Sequence, residues 1–267
     1  LVNAFFGDII KCPSCFLFTD IGDGLKNYYT LDYYVKHDTG TRFTGMNYPY
    51  GEHIVYTDNQ PLLAMTLGWI HRHVVDMSRH VVGTLKGVML LSICVGVYIT
   101  YFLLRRWKVG SVWALVASLC IIFLSPQLWR IPSHYGMSYA WFFPLLLLLL
   151  DYLNHADTKK WRWAIGIAVL VVVMSLSHMY FLLLSSVTVV SYALWWAWLN
   201  RRDRLKLRSI LPWLLGSVII PGLLITSWMK LTDPVQDRPT DPYGVDVYTL
   251  SPATTFLNAI PPFDQTW

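Results

Sequence analysis

Two carboxylates set three residues apart mark the first stretch of this chain that could do chemistry. They are Asp20 and Asp23, in Thr19-Asp20-Ile21-Gly22-Asp23-Gly24-Leu25-Lys26. A carboxylate can take the proton of a hydroxyl acceptor, and it can hold a divalent cation. Gly22 and Gly24 flank Asp23 and read as a sharp turn that leaves its side chain clear of bulky neighbours. The competing reading is a solvated turn in which both acids cap the following helix. An aromatic run, Tyr28, Tyr29, Tyr33 and Tyr34, comes directly after.

Further polar clusters lie downstream. Asn47-Tyr48-Pro49-Tyr50-Gly51-Glu52-His53 and Tyr56-Thr57-Asp58-Asn59-Gln60-Pro61 combine aromatic with hydrogen-bonding types. Aromatic rings stack on sugars, while Glu52, His53 and Asp58 are suited to bonding hydroxyls; a packed loop capped by Asp58 or Asn59 is the alternative. Arg130 and His134 share one short polar turn, His178 and Tyr180 another, and Arg238 sits in Asp237-Arg238-Pro239. The planar arginine fork fits a phosphate, although a snorkelling arginine beside lipid headgroups looks the same in sequence. His71, His73, Asp76 and His80 fall in one expected helix, with three of them on a common face. No established zinc pattern accompanies them, so a polar interfacial face is the stronger reading. Cys12 and Cys15 form one C-x-x-C with no second pair to complete a zinc site, which leaves a local disulfide or two thiols. Cys94 and Cys120 read as packing residues in apolar segments.

The elements that must position these groups are membrane helices. The 267 residues are 55% hydrophobic and only 14% charged, where soluble domains carry about a quarter charged residues. Thirteen Trp and sixteen Tyr favour membrane–water interfaces. About 20 apolar residues cross the hydrocarbon layer as a helix. Segments 82–104, 109–128, 137–153 and 210–229 fit, and 163–199 is too long for one crossing. It divides at its one polar cluster, Ser175-Leu176-Ser177-His178, which gives six spans with almost no ionisable residue away from their ends. Ahead of them, Leu25, Tyr28, Leu31 and Val35 predict a short amphipathic helix lying on the membrane. A second helix is predicted to start near Asp58 or Asn59 with Pro61 in its first turn and a stripe of Leu63, Leu67, Ile70 and Val74. The fold class is therefore all-α: a polytopic integral membrane protein with about six transmembrane helices. Its parts are an outer region 1–81 bearing the acidic motif and amphipathic helices, a helical bundle 82–229, and a second outer loop 230–267. The chain starts with Leu and ends in loop-like sequence, which reads as a piece of a longer protein.

Charge sets the orientation. Arg105, Arg106 and Lys108, then Lys159, Lys160 and Arg162, then Arg201, Arg202, Arg204, Lys206 and Arg208 hold eleven of the 21 basic residues, each cluster between apolar segments. All three fall on one side of a six-span chain, the cytoplasmic side by the positive-inside rule, which also argues against nucleic acid as partner. Thirteen of the sixteen acidic residues fall on the opposite side, so that face is the expected place for chemistry.

In layout the chain resembles the GT-C superfamily, polytopic glycosyltransferases that use polyprenyl-phosphate-linked sugars. Gly22-Asp23-Gly24-Leu25-Lys26-Asn27-Tyr28, Asn47-Tyr48-Pro49-Tyr50-Gly51-Glu52-His53 and Thr57-Asp58-Asn59-Gln60-Pro61 resemble bacterial membrane proteins grouped near it. The resemblance implies that Asp23 or Asp20 is the catalytic base or a metal-associated carboxylate, with magnesium or manganese as the cation if one is used. The two acids stand three apart here, where the superfamily has them adjacent or one residue apart. Asp58, Glu52, His53, Arg130, His134, His178 and Arg238 are the expected substrate contacts, the arginines toward the donor phosphate. The implied partners are membrane lipids, the polyprenyl-phosphate sugar and a glycan, lipid or protein acceptor, at the outer face of a bacterial inner membrane. A transporter or flippase of lipid-linked glycans, and a non-catalytic assembly subunit, are the other readings. The orientation predicts that single cysteines at Thr41 and Thr240 are both labelled by an impermeant maleimide from outside intact cells. Labelling at only one breaks the span count.

Overall fold

The computed structural model describes residues 2–19, 22–131, 133–156, 158–233 and 235. They form an all-α membrane protein. The chain divides into two compact units, Leu1–Pro234 and Val235–Trp267, and the architecture that follows is that of the first. Asp20, Arg238, Thr240 and the rest of 236–267 lie outside the described residues.

Six helical segments are long and apolar enough to cross a membrane: Val81–Arg106, Ser111–Arg130, Tyr135–His155, Lys160–Ser177, Tyr180–Leu199 and Arg204–Thr232. They match the predicted spans to within a few residues, apart from a six-residue N-terminal extension of the last. The chain is an integral membrane protein. The division of 163–199 falls at His178, whose backbone is extended (φ −163°, ψ 129°). The serines before the break satisfy themselves: Ser175 Oγ donates to the Val171 carbonyl at 2.6 Å and Ser177 Oγ to Val173 at 2.9 Å.

In chain order the helices are α1 (Val2–Lys11), α2 (Gly22–His37), α3 (Pro61–His73), α4 (Val81–Arg106), α5 (Ser111–Phe123), α6 (Phe142–His155), α7 (Lys160–Ser177), α8 (Tyr180–Leu199) and α9 (Arg204–Thr232). A two-stranded hairpin, β1 (Arg42–Phe43) against β2 (Glu52–His53), lies between α2 and α3. In the bundle α7 packs on α6, α8 and α9, and α4 on α5 and α6. At the basic end, Arg106 pairs with Asp151 and lies 4.1 Å over the Tyr152 ring, which stacks on Trp163 at 4.4 Å. This ties α4, α6 and α7 together where the positive clusters gather.

At the opposite end, α2 packs on α3 and α4, and α1 on α4. Cys12 and Cys15 are joined as a disulfide, with Cα atoms 5.3 Å apart. Three expectations for this region change. The glycine-flanked stretch is the start of α2 and not a separate turn. Only Gly22 is left-handed (φ +60°), and Asp23 occupies the first turn, where the helix dipole favours an acid. The buried face of α2 is Asn27, Tyr28, Thr30, Leu31, Tyr34 and Val35, while Leu25 is exposed, because packing on both α3 and α4 turns the helix past the simple stripe. Finally, α3 ends at His73, so Asp76 and His80 do not extend its face. The stop is built by His71 Nδ1 accepting from the Met77 amide at 3.0 Å and Asp76 accepting from Ser78 at 2.9 Å.

One close approach holds the outer turns of the bundle together. A Cβ on Gly136 would stand 2.5 Å from the Ser177 carbonyl oxygen and 3.3 Å from His178. Gly136→Ala is therefore expected to lower stability by about 1–3 kcal/mol, the range for overpacking. Gly87→Ala, where no atom lies within 4 Å, should be neutral or slightly stabilising. Thermal unfolding of both in detergent checks the pair.

Candidate functional site

The polar residues of the outer end converge because one short segment is pinned on every side. Thr57 Oγ1 donates to the Ile54 carbonyl at 2.8 Å. Asn59 Nδ2 reaches the Thr30 carbonyl on α2 at 3.1 Å, and its Oδ1 accepts from the Gln60 amide at 2.9 Å. Gln60 Oε1 accepts from the buried Tyr139 hydroxyl before α6. Thr57, Asn59 and Gln60 are all buried. Asp58, between them, is held left-handed at φ +55°, a conformation that Asp and Asn tolerate better than most residues. Its Oδ2 accepts from Lys26 Nζ at 2.7 Å. The ion pair is about a third exposed and so adds little stability by itself; its effect is to aim the carboxylate.

Asp58 lines a cavity of about 310 Å³ at the outer ends of α8 and α9. His178, Tyr56, Tyr180, Asn59 and Met229 line it as well. His178 Nδ1 accepts from the Tyr180 amide at 3.3 Å, which leaves the ring proton of the neutral form on Nε2. Burial holds the His178 pKa below the ordinary histidine value; the Asp58 carboxylate opposes that shift, and His134 adds to it.

His134 links the cavity to the acidic motif. Its Nε2 stands 3.9 Å from Asp23 Oδ2, and Asn27 Nδ2 on α2 donates to the Ser133 carbonyl at 3.1 Å. Beneath them, Tyr135 and Tyr28 meet edge to face at 4.9 Å. Asp23 itself is 54% exposed and does not line the cavity. Arg130 is exposed beside Trp129, and its carbonyl accepts from the His134 amide at 2.7 Å, so it stands at the root of the same turn. Glu52 and His53 are buried in the hairpin. Glu52 accepts from the His53 amide and from Asn47 Nδ2, at 2.7 and 2.9 Å. His53 Nδ1 accepts from the Val55 amide and Nε2 bonds Thr232 at 3.0 Å. Their hydrogen bonds are spent on the fold.

Of the residues expected from sequence, the structure thus brings Asp58, His134, His178 and Asp23 together, keeps Arg130 at the edge and sets Glu52 and His53 apart. Asp20 and Arg238 lie outside the described residues. Among the described residues no three His, Cys, Asp or Glu side chains converge as a metal ion requires. Two lysines escaped the sequence reading. Lys26 follows the acidic motif by three residues, and its partner is 32 positions away. Lys86 lies inside the first span, fully buried, with Nζ donating to the Phe16 carbonyl and 5.8 Å from the Tyr28 ring centre. A lysine within an apolar run was the available signal.

The His178 environment gives a pH signature. A histidine kept from protonating in the fold binds its proton in the unfolded chain first, so its contribution is complete above the ordinary histidine range and is lost as pH falls through it. The unfolding temperature should therefore fall between about pH 7 and about pH 5. In His178→Asn, whose Oδ1 can still accept from the Tyr180 amide, the fall should be smaller; equal slopes count against the assignment.

The chain belongs to the family described as a domain of unknown function, DUF6311, which it matches over residues 4–266. No curated protein and no solved structure matches it.

Proposed function

We propose, from membership of a family that brings no activity with it, that this protein is a membrane glycosyltransferase taking a sugar from a polyprenyl-phosphate donor. The observation that carries the reading is the cavity at the outer helix ends, where left-handed Asp58, on a segment pinned by its neighbours, shares the lining with His178 and two exposed tyrosines. Preorganised polar groups in a largely apolar recess are what a transfer site requires. In the step, the acceptor hydroxyl oxygen bonds to the sugar anomeric carbon as the bond from that carbon to the phosphate oxygen breaks. The bonding electrons leave with the polyprenyl phosphate, and the hydroxyl proton passes to Asp58. His178 donates from Nε2 toward the departing phosphate, and Arg130 supplies a bidentate contact to it. Asp23 holds His134.

The layout supports a reaction on the extracytoplasmic face of a bacterial inner membrane. The basic clusters lie at the other helix ends, and the Cys12–Cys15 disulfide belongs to an oxidising compartment. A second reading, a transporter of lipid-linked glycans, is favoured by one observation: Lys86, a cation buried inside a span.

Purified protein in lipid nanodiscs, given radiolabelled polyprenyl-phosphate sugars and hydroxyl acceptors, tests the proposal. Asp58→Asn keeps the left-handed backbone but cannot take a proton, and should lower transfer by roughly 10²–10⁴-fold with little change in unfolding temperature. Asp23→Asn should cost less. A larger loss in Asp23→Asn moves the base back to Asp23. Absence of transfer by wild type, with passage of a labelled glycan lipid across liposomes, replaces the transferase by the transporter.

A further inference from the structure

The aromatic run after the acidic motif divides in the fold. Tyr28 and Tyr34 are buried, whereas Tyr29, Tyr33 and His37 share another face of α2 at intervals of four, Tyr29 and His37 exposed and Tyr33 half-buried against Phe43. Their rings are in contact, Tyr29 with Tyr33 at 5.6 Å between centres and Tyr33 with His37 at 4.8 Å. The strip extends about 12 Å along the helix. The loop between β1 and β2 is fastened to it: the Tyr29 hydroxyl donates to the Gly45 carbonyl at 3.0 Å, and the Tyr33 and Thr44 hydroxyls lie 3.3 Å apart.

That loop is itself rigid. The Asn47 carbonyl accepts from the Tyr50 and Gly51 amides at 2.8 and 3.0 Å. Arg42 Nη2 donates to the Tyr50 carbonyl at 2.9 Å. Gly51 is left-handed at φ +76°, and a Cβ there would meet the Phe43 carbonyl at 2.9 Å. What this framework displays is two tyrosines at the tip, Tyr48 at 92% and Tyr50 at 76% exposure. Such rings add nothing to the core, yet the backbone that carries them is braced, which lowers the ordering cost of binding.

We infer that Tyr29, Tyr33 and His37 with Tyr48 and Tyr50 form a docking platform for an oligosaccharide, outside the reaction cavity. Flat aromatic faces bordered by charged and amide groups suit pyranose rings, which present C–H faces and hydroxyl edges. The border here is the Asp32–Lys36 pair at 2.7 Å, Arg42 and Asn47. A surface sunk in the hydrocarbon would carry aliphatic chains instead, and among described residues 22–53 Leu25 is the only exposed large aliphatic side chain. The strip is longer than one sugar ring. From its loop the chain runs through β2 to Tyr56 in the cavity wall. That the glycan is the acceptor rests on the transferase reading; that the surface binds carbohydrate does not.

The test is calorimetric titration of wild type in nanodiscs with chitotetraose, cellotetraose and α-mannotetraose. At least one should bind, and Tyr48→Ser/Tyr50→Ser should weaken that one roughly tenfold or more with an unchanged unfolding temperature. Asp58→Asn should bind as wild type does. No binding of any of the three by wild type, or equal binding by the double variant, overturns the platform. So does a double variant whose unfolding temperature drops in nanodiscs but not in detergent, which marks a membrane anchor. Binding without transfer from any donor removes the transferase and leaves the platform standing.

Discussion

The hydrogen bond from the Tyr139 hydroxyl to Gln60 is the joint on which the outer region rests. Both side chains are buried, and the bond joins the start of α6 to the segment that presents Asp58. Where little water can replace it, an unmade bond leaves a polar group with its full desolvation penalty, about 1–3 kcal/mol. Asn59 repeats the arrangement toward α2 through the Thr30 carbonyl. The two bonds fix an irregular stretch of backbone against the ends of membrane helices, where an unsatisfied amide or carbonyl is most expensive.

From this joint the site's character follows. Because Thr57, Asn59 and Gln60 are immobilised, Asp58 has little freedom except in its side chain, and Lys26 takes that up. The opposing wall is set by another irregularity, the extended backbone of His178 between α7 and α8, seated against Gly136. A polar loop ahead of α3 and a break between α7 and α8 supply the two faces of one cavity. Strained or irregular backbone kept in place by its surroundings is a recurrent property of functional sites.

The two ends of the bundle divide the labour. At the basic end, Arg106, Asp151, Tyr152 and Trp163 form a network that joins neighbouring helices, while most of the other basic side chains there stay exposed. The outer end leaves Arg130 and Asp23 exposed and Asp58 lining a recess.

The spans were legible because hydropathy and length are local properties of the chain, and crossing a membrane depends on little else. The break at Ser175–His178 was legible for the same reason, as the one polar interruption of a long apolar run. Asp58, His134 and His178 could be selected as polar residues in outer turns. Their convergence could not, since Asp58 and His178 stand 120 positions apart and meet only through the packing of α3 against α7. The glycines beside Asp23 speak of backbone freedom and not of which recess a side chain enters. The burial of Lys86 under the Phe16 carbonyl, and the parting of Tyr28 and Tyr34 from Tyr29 and Tyr33, depend on what covers each helix face. A local sequence records which residues are polar or aromatic; only the contacts made by distant segments decide which of them still face the outside.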